Sequence, residues 1–171
     1  ISSDGNIVAI GSSYHNQYNS PYAGSVRIFL WNGSSWIQKG QNILGQYLHG
    51  RFGHSVSISN DGNKVAIGAP EAGNHAGNIN VYQYDNTSWI HTIANLSIGG
   101  ESGQSVALSG NGNKVALAAH LSNSGAGKVQ VLFSGTQYTS LPCSGCTDSL
   151  AVNYDPYSLI DDGSCLYAGC T

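Results

Sequence analysis

The nonapeptide Asn60-Asp61-Gly62-Asn63-Lys64-Val65-Ala66-Ile67-Gly68 has an earlier and a later copy in the same chain. The earlier one is Ser3-Asp4-Gly5-Asn6-Ile7-Val8-Ala9-Ile10-Gly11. The later one is Gly110-Asn111-Gly112-Asn113-Lys114-Val115-Ala116-Leu117-Ala118, and the spacings are 57 and 50 residues. Two further anchors keep the same order. Ala-Gly stands at 23–24, 76–77 and 126–127, and aromatic pairs five apart stand at Trp31/Trp36, Tyr84/Trp89 and Phe133/Tyr138. Self-similarity at such a period is the mark of a repeat architecture.

Each unit reads as four short strands. In the middle unit, strand a is Ser55–Ser59 and strand b is Lys64–Ala69. They are joined by Asp-Gly, a pair that a tight hairpin prefers because glycine tolerates positive φ. Strand c is Asn78–Tyr84, and strand d starts at Trp89 after the polar loop Asp85–Ser88. The aromatic pair flanking that loop is expected to meet across the strands and clamp the hairpin. Strands a and b alternate large with very small residues, so the large face of one sheet can pack on the small face of its neighbour. Strand c alternates apolar with polar residues and is expected to lie in a wetter, outer position. Four-stranded meanders at this period predict propeller blades. A β-sandwich also alternates but seldom repeats its sequence in this way.

Composition agrees. Charged residues are 9% and Gly is 23 of 171, too little charge and too much glycine for a helical protein. The 40% apolar content can bury a core, which a disordered chain lacks. A net charge of −3 without a basic stretch gives a nucleic-acid partner no electrostatic support. No apolar run approaches the roughly 20 residues of a membrane span, so membrane insertion is not expected. The first residue is Ile1 and the last three repeat Gly145-Cys146-Thr147, so the stretch reads as cut from a longer polypeptide. With fewer than three full units and about four needed to close a ring, the remaining blades are expected from the parent chain or from other copies.

Strand order sorts the loops onto two edges. The a–b and c–d turns are short and repeated. The b–c loops (12–22, 70–75, 119–125) and d–a loops (40–51, 94–101) are longer and differ between units. Variable loops on a rigid scaffold are where binding concentrates. They carry Tyr14, His15, Tyr18, Tyr22, Tyr47, His49, Arg51, Glu71, His75, Glu101 and His120. Tyrosine and histidine there can stack on a sugar or pair with a protein ligand.

Phe52-Gly53-His54-Ser55-Val56, running on to Gly68-Ala69-Pro70, resembles the FG-GAP repeat of integrin α-chain propellers and of related secreted bacterial proteins. The resemblance spans residues 1–142, in units of approximately 1–52, 53–102 and 103–142. The third unit departs from it, with Ser102-Gly103 for Phe-Gly and Ala118-Ala119-His120 for Gly-Ala-Pro. The family implies a seven-bladed extracellular propeller used in adhesion or ligand binding. Its members often hold calcium in an Asp-x-Asp-x-Asp-Gly loop. Here Asn60-Asp61-Gly62-Asn63 offers one carboxylate, whereas calcium takes six to eight oxygens, so a plain hairpin turn is the reading.

The four cysteines, Cys143, Cys146, Cys165 and Cys170, follow a boundary near Leu141-Pro142. The stretch 143–171 carries Asp148, Asp155, Asp161 and Asp162 and no lysine or arginine. The spacing Cys-x2-Cys-x18-Cys-x4-Cys loosely resembles a zinc ribbon, with a last interval too long for the usual knuckle. The body Gly-Cys-Thr-Asp-x-x-Ala-x-Asn-Tyr-Asp-Pro followed by Asp-Asp-Gly-Ser-Cys resembles cysteine repeats in surface proteins of marine bacteria and large viruses. That resemblance implies an exported, disulfide-rich module, with the pairing open among three connectivities. Asp155, Asp161 and Asp162, with Asn153, are weak calcium candidates, set against solvated turn carboxylates.

No nucleophile elbow, Walker loop, zincin helix or dinucleotide fingerprint is present. Glu71 and Glu101 are carboxylates on neighbouring units, the minimum for a glycosidase pair, with nothing to fix their separation. The expectation is an all-β partial propeller with a small disulfide module. Its function is non-catalytic extracellular binding, without a cofactor unless calcium. A structural stalk and an accessory domain of a polysaccharide-acting enzyme are the alternatives. Asn32, Asn86 and Asn95 begin Asn-x-Ser/Thr sequences, which a eukaryotic secretory route would recognise.

Overall fold

One serine explains why the repeated turn folds alike in each copy. Ser59 Oγ donates to Asp61 Oδ1 at 2.5 Å and accepts the Lys64 N–H at 2.9 Å, and Asp61 Oδ1 also accepts the Asn63 N–H at 3.1 Å. Ser2, Asp4, Asn6 and Ile7 make the same set, as do Ser109, Asn111, Asn113 and Lys114. The glycine of each turn is left-handed, with φ of 75°, 65° and 68° at Gly5, Gly62 and Gly112. The turn oxygens are therefore committed to protein donors, as in a plain hairpin turn.

A computed structural model describes residues 1–16, 20–122, 125–133, 143–145, 148–151, 158–161 and 165–167. The protein is all-β, with three antiparallel sheets and two compact units, Ile1–Thr136 and Gln137–Thr171. Sheet I contains β1 (Ile7–Ser12), β2 (Ser25–Trp31), β3 (Trp36–Gln38) and β4 (Ile43–Leu44), with β3 and β4 both pairing with β2. Sheet II is a full meander of β5 (Ser55–Ile58), β6 (Lys64–Ala69), β7 (Asn78–Tyr84) and β8 (Trp89–Leu96). Between β6 and β7 lies one short turn, α1 (Ala72–His75), whose Gly73 and Asn74 are left-handed rather than helical. Sheet III is β9 (Ser105–Leu108), β10 (Lys114–Ala119) and β11 (Lys128–Phe133).

The four-strand expectation therefore holds without interruption only for sheet II. In sheet I the d position is split into two short pieces, because after the Lys39 N–H donates to the Ile28 carbonyl at 2.8 Å the chain at Gly40 and Gln41 turns toward Trp89 of sheet II. Among the described residues β1 has no strand on its outer edge, and sheet III has three strands. The aromatic pairs do meet across strands. Trp31 is opposite Trp36 with ring centres 5.6 Å apart, and Tyr84 is opposite Trp89 at 5.2 Å. Tyr138 lies outside the described residues.

Side-chain size governs how the sheets stack. Ala9 on sheet I packs in one apolar core with Val26, Ile28 and Phe52 and with Val65 and Ile67 of sheet II, and Gly11 lies against Gly53 and Val56. Ala66, Ile79 and Val81 on the opposite face of sheet II meet Val115 and Leu117 of sheet III in a second core. Small face on large face is the packing read from the sequence. The serines of β5 point to sheet III, where Ser57 Oγ accepts the Leu108 N–H at 2.9 Å and Ser55 Oγ donates to the Gly103 carbonyl at 2.8 Å. Gly24 bridges to Phe52, and Gly77 bridges to Ser102, each in parallel orientation. The motif glycines are thus the points where one sheet's backbone touches the next.

One expectation is corrected. Strand β7 is buried on both faces rather than wet: Asn78 and Asn80 are 5% and 4% exposed. Their amides are satisfied internally. Asn80 Nδ2 donates to Asn78 Oδ1 at 3.0 Å, and Asn78 Nδ2 donates to Asn95 Oδ1 at 3.1 Å. A buried amide pair is tolerated when each group finds a partner.

The second unit pairs β12 (Cys143–Gly145) with β13 (Ser158–Asp161) in parallel. Asp148 accepts the Leu150 N–H at 2.9 Å and the Tyr167 hydroxyl at 2.7 Å. Cys165 is disulfide-bonded. Cys146, Cys170, Asn153, Asp155 and Asp162 lie outside the described residues, as do the side chains of Cys143 and Asp161. Among the described residues no helix is long and apolar enough to cross a membrane.

Candidate functional site

The variable loops hydrogen-bond to each other along one edge, as the strand order requires. His49 N–H donates to the Pro21 carbonyl at 3.0 Å, and Arg51 N–H to the Tyr22 carbonyl at 3.1 Å. In the next unit Glu101 N–H donates to the His75 carbonyl at 3.1 Å, and Leu121 N–H to the Gly100 carbonyl at 3.1 Å. Each d–a loop is thereby sewn to a b–c loop.

Two clusters of side chains result. In the first, the Arg51 guanidinium lies 4.8 Å from the Tyr14 ring centre and pairs with Glu71 at 3.0 Å. Tyr14 meets Tyr22 edge to face at 5.8 Å, and Tyr22 meets His49 at 5.5 Å. Both tyrosines are exposed, at 59% and 44%. Arginine is half-buried between an aromatic face and a carboxylate, so its charge is matched and its plane is fixed.

In the second cluster Glu101 stands between two histidines. His75 Nδ1 is 3.7 Å from Glu101 Oε1, and His120 Nε2 is 3.8 Å from Glu101 Oε2. Gln104 Nε2 donates to the same carboxylate at 3.1 Å. Glu71 and Glu101 are thus each engaged by their own partners. Among the described residues no group of His, Cys, Asp and Glu is arranged to hold a metal ion. His15 and Tyr47 join neither cluster, although Tyr47 lines a small cavity beside Phe52 and Tyr82. Tyr18 lies outside the described residues.

Backbone conformation marks the same loops. Eight non-glycine residues have positive φ among the described residues, and five of them are Tyr22, His49, Arg51, His75 and Glu101. A left-handed L-residue costs roughly 1–2 kcal/mol, and glycine would remove the cost. Tyr22 and His75 each precede the Ala-Gly anchor, and Arg51 and Glu101 each precede Phe52-Gly53 or its counterpart Ser102-Gly103, so the left-handed conformation recurs at equivalent positions of the repeat.

The sequence reading also missed three features. Lys39 projects over Tyr84 at 4.7 Å and donates to the Gly62 carbonyl at 3.0 Å and Asn63 Oδ1 at 2.7 Å; burial pushes its ammonium below the usual lysine range. Trp31 and Trp36 stand exposed on sheet I. His91 stacks flat on Tyr82 at 4.5 Å with Nε2 2.9 Å from Asn80 Oδ1, and burial lowers its pKa. Asn78 and Asn80 in strand c and His91 in strand d, polar residues within otherwise apolar strands, were the available signal for the Asn80–His91 contact.

No family model matches the chain, and no curated protein is significantly similar to it.

Proposed function

We propose that this chain is part of an extracellular β-propeller whose variable loop edge binds a ligand without transforming it. The observation that carries the reading is the retention of Tyr22, His49, Arg51, His75 and Glu101 at left-handed positions on that edge. Strain kept at bulky polar side chains is a pointer to function. The exposed rings of Tyr14 and Tyr22, beside a guanidinium already neutralised by Glu71, favour an uncharged sugar ring over an anion. The disulfide at Cys165 supports an oxidising compartment. The three stacked antiparallel sheets and the FG-GAP resemblance support the propeller, with further sheets supplied by the parent chain or by other copies.

The test is a glycan array, run beside a panel of extracellular matrix proteins, with the wild type and a Tyr14→Ala/Arg51→Ala variant. A saturable glycan hit lost in the variant is the expected result. Binding retained by the folded variant would remove the loop edge from the reading. A wild type that binds nothing on either panel would leave the structural stalk as the better account.

A further inference from the structure

One backbone device builds the loop edge twice. The left-handed pairs Tyr22/Arg51 and His75/Glu101 stand at equivalent positions of successive repeats. The same hydrogen bond joins each pair, from Arg51 N–H to the Tyr22 carbonyl and from Glu101 N–H to the His75 carbonyl, at 3.1 Å in both. The same parallel bridge follows, Gly24 to Phe52 and Gly77 to Ser102. The first platform lies where sheets I and II meet, and the second where sheets II and III meet. They repeat along one edge at the spacing of stacked sheets, about 10 Å.

The side chains on the two platforms differ in charge. At the first, Arg51 is matched by Glu71 at 3.0 Å and lies over Tyr14, which meets Tyr22 edge to face, so ring faces are offered without net charge. At the second, Glu101 is 19% exposed and receives the Gln104 amide at 3.1 Å, while His75 and His120 flank it with 68% and 53% of their side chains open. Among the described residues no lysine or arginine pairs with Glu101. A carboxylate fixed in this way keeps lone pairs for hydroxyl donors, and the imidazoles beside it add ring faces and further hydrogen-bonding atoms. The same carboxylate repels an anion.

We infer that the edge holds one linear, uncharged polysaccharide laid across both platforms. One sugar ring sits on Tyr14 and Tyr22. A second ring, further along the same ligand, donates hydroxyls to Glu101 between His75 and His120. A polymer of like units suits a platform that is built twice, because each copy meets the same kind of group. Glu101 sets the specificity, since it accepts from hydroxyls and turns away uronate or sulfate. Two contacts on one ligand make the second an intramolecular event, so affinity rises with chain length once both platforms are reached. That assignment rests on the glycan reading of the loop edge proposed above, and adds to it the ligand's length, its charge and the second contact.

The test is isothermal titration of the full chain with cellobiose and cellohexaose, laminaribiose and laminarihexaose, and a hexamannuronate as the anionic counterpart. It is run at alkaline pH, where imidazole carries no charge. The expected result is a neutral hexasaccharide that binds about tenfold or more tighter than the disaccharide of its own series, with hexamannuronate no tighter than that disaccharide. In a His75→Ala/His120→Ala variant the hexasaccharide should fall to the affinity of the disaccharide. Glu101→Gln keeps the shape of the side chain and should bind hexamannuronate about tenfold tighter than the wild type does. Circular dichroism melts establish that each variant is folded. Equal affinity for disaccharide and hexasaccharide, with both lost in Tyr14→Ala/Arg51→Ala, would overturn the inference and leave the proposed function in place. So would a length advantage that survives the loss of both histidines, or a wild type that binds hexamannuronate as tightly as the neutral hexasaccharide. A wild type that binds none of the neutral sugars would overturn the inference and the glycan reading together.

Discussion

A Cβ on residue 68 would lie 2.2 Å from the carbonyl oxygen of Gly103. Gly68 in β6 and Gly103 ahead of β9 therefore set how closely sheets II and III approach. The same contact recurs one interface earlier, where a Cβ on Gly11 would lie 2.1 Å from the Gly53 carbonyl. The obstacle is backbone on both occasions, so no side-chain rotation relieves it. Gly68→Ala should destabilise the protein by about 2 kcal/mol or more, against the usual gain of filling a strand glycine. Ala118 holds the equivalent position in β10, and Ala118→Gly should cost no more than about 1 kcal/mol. Urea unfolding followed by circular dichroism separates the two. Equal effects would show that the close approach at Gly68 is not what limits sheet packing.

Asp61 is held in its turn by Ser59 and Asn63, and the Ser59 hydroxyl, with the Asn63 donors, keeps its carboxyl below the usual aspartate range. A carboxylate lowered in the folded state contributes stability that is complete above the unfolded pKa, near 3.8, and is lost as pH falls through the folded value. Asn111 fills this position in the third turn with the same hydrogen bonds. Asp61→Asn should therefore change stability at neutral pH by less than about 0.5 kcal/mol, while Asp61→Ala should cost about 1 kcal/mol through its lost hydrogen bonds. Melting temperatures at pH 3 and pH 6 check the sign. The wild type should lose more between them than the Asn variant does.

The repeated turn was legible because its requirements are local. Serine, a short side-chain carbonyl and a left-handed glycine within five residues leave the chain few alternatives, and the pattern recurs in each copy. The sheet stacking was legible for a related reason, since alternation of Val and Ile with Ala, Gly and Ser records which face needs room. The capping of Trp89 was not. Lys39, Gly40 and Gln41 act across 48 to 50 residues of sequence, and only unit I carries this tripeptide, so repetition gave no hint of it. The loop residues were singled out by their chemistry and position, and of these Tyr14, Tyr22, His49, Arg51, Glu71, His75, Glu101 and His120 are brought into contact with one another. The lacing of the loops repeats from unit to unit, as in the Arg51–Tyr22 and Glu101–His75 backbone bonds, but the side chains it brings together differ, which gives one Arg51 cluster and one Glu101 cluster. Strand β7 was misread because alternation of apolar and polar residues normally signals one wet face. Here Asn78 and Asn80 are enclosed and paired with Asn95 and His91 instead.

His91 supplies a pH dependence of opposite origin. Burial against Tyr82 disfavours the imidazolium, so its folded pKa lies below the ordinary 6.5. The unfolded chain then binds the proton more readily, and this residue's contribution is fully present above pH 6.5 and is lost as pH falls through the folded value. His91→Phe keeps a ring on Tyr82 and removes the titrating group. Its stability difference from the wild type should shrink as pH is lowered from 7.5 to 5.5 in urea titrations, conditions set by the roughly one-unit reach of a titration. A difference that stays constant would mean that His91 takes its proton as easily folded as unfolded.

His75 and Gly73 share one short turn and one backbone region, with φ of 64° and 60°. His75 is exposed, and a Cβ at Gly73 would meet nothing within 4 Å, so substitutions here report conformational strain with little packing change. His75→Gly should stabilise the protein by about 1 kcal/mol, and Gly73→Ala should destabilise it by a similar amount. Glu101 would lose one of its two imidazole neighbours, 3.7 Å away, and keep His120 and Gln104. A loop edge shaped for a ligand should therefore respond in opposite directions, with the melting temperature of His75→Gly rising while the affinity for a ligand found on the array falls. That trade is the ordinary cost of a strained binding residue. A rise in stability with unchanged affinity would remove the Glu101 cluster from the ligand site and leave the Arg51 cluster as the part of the edge to pursue.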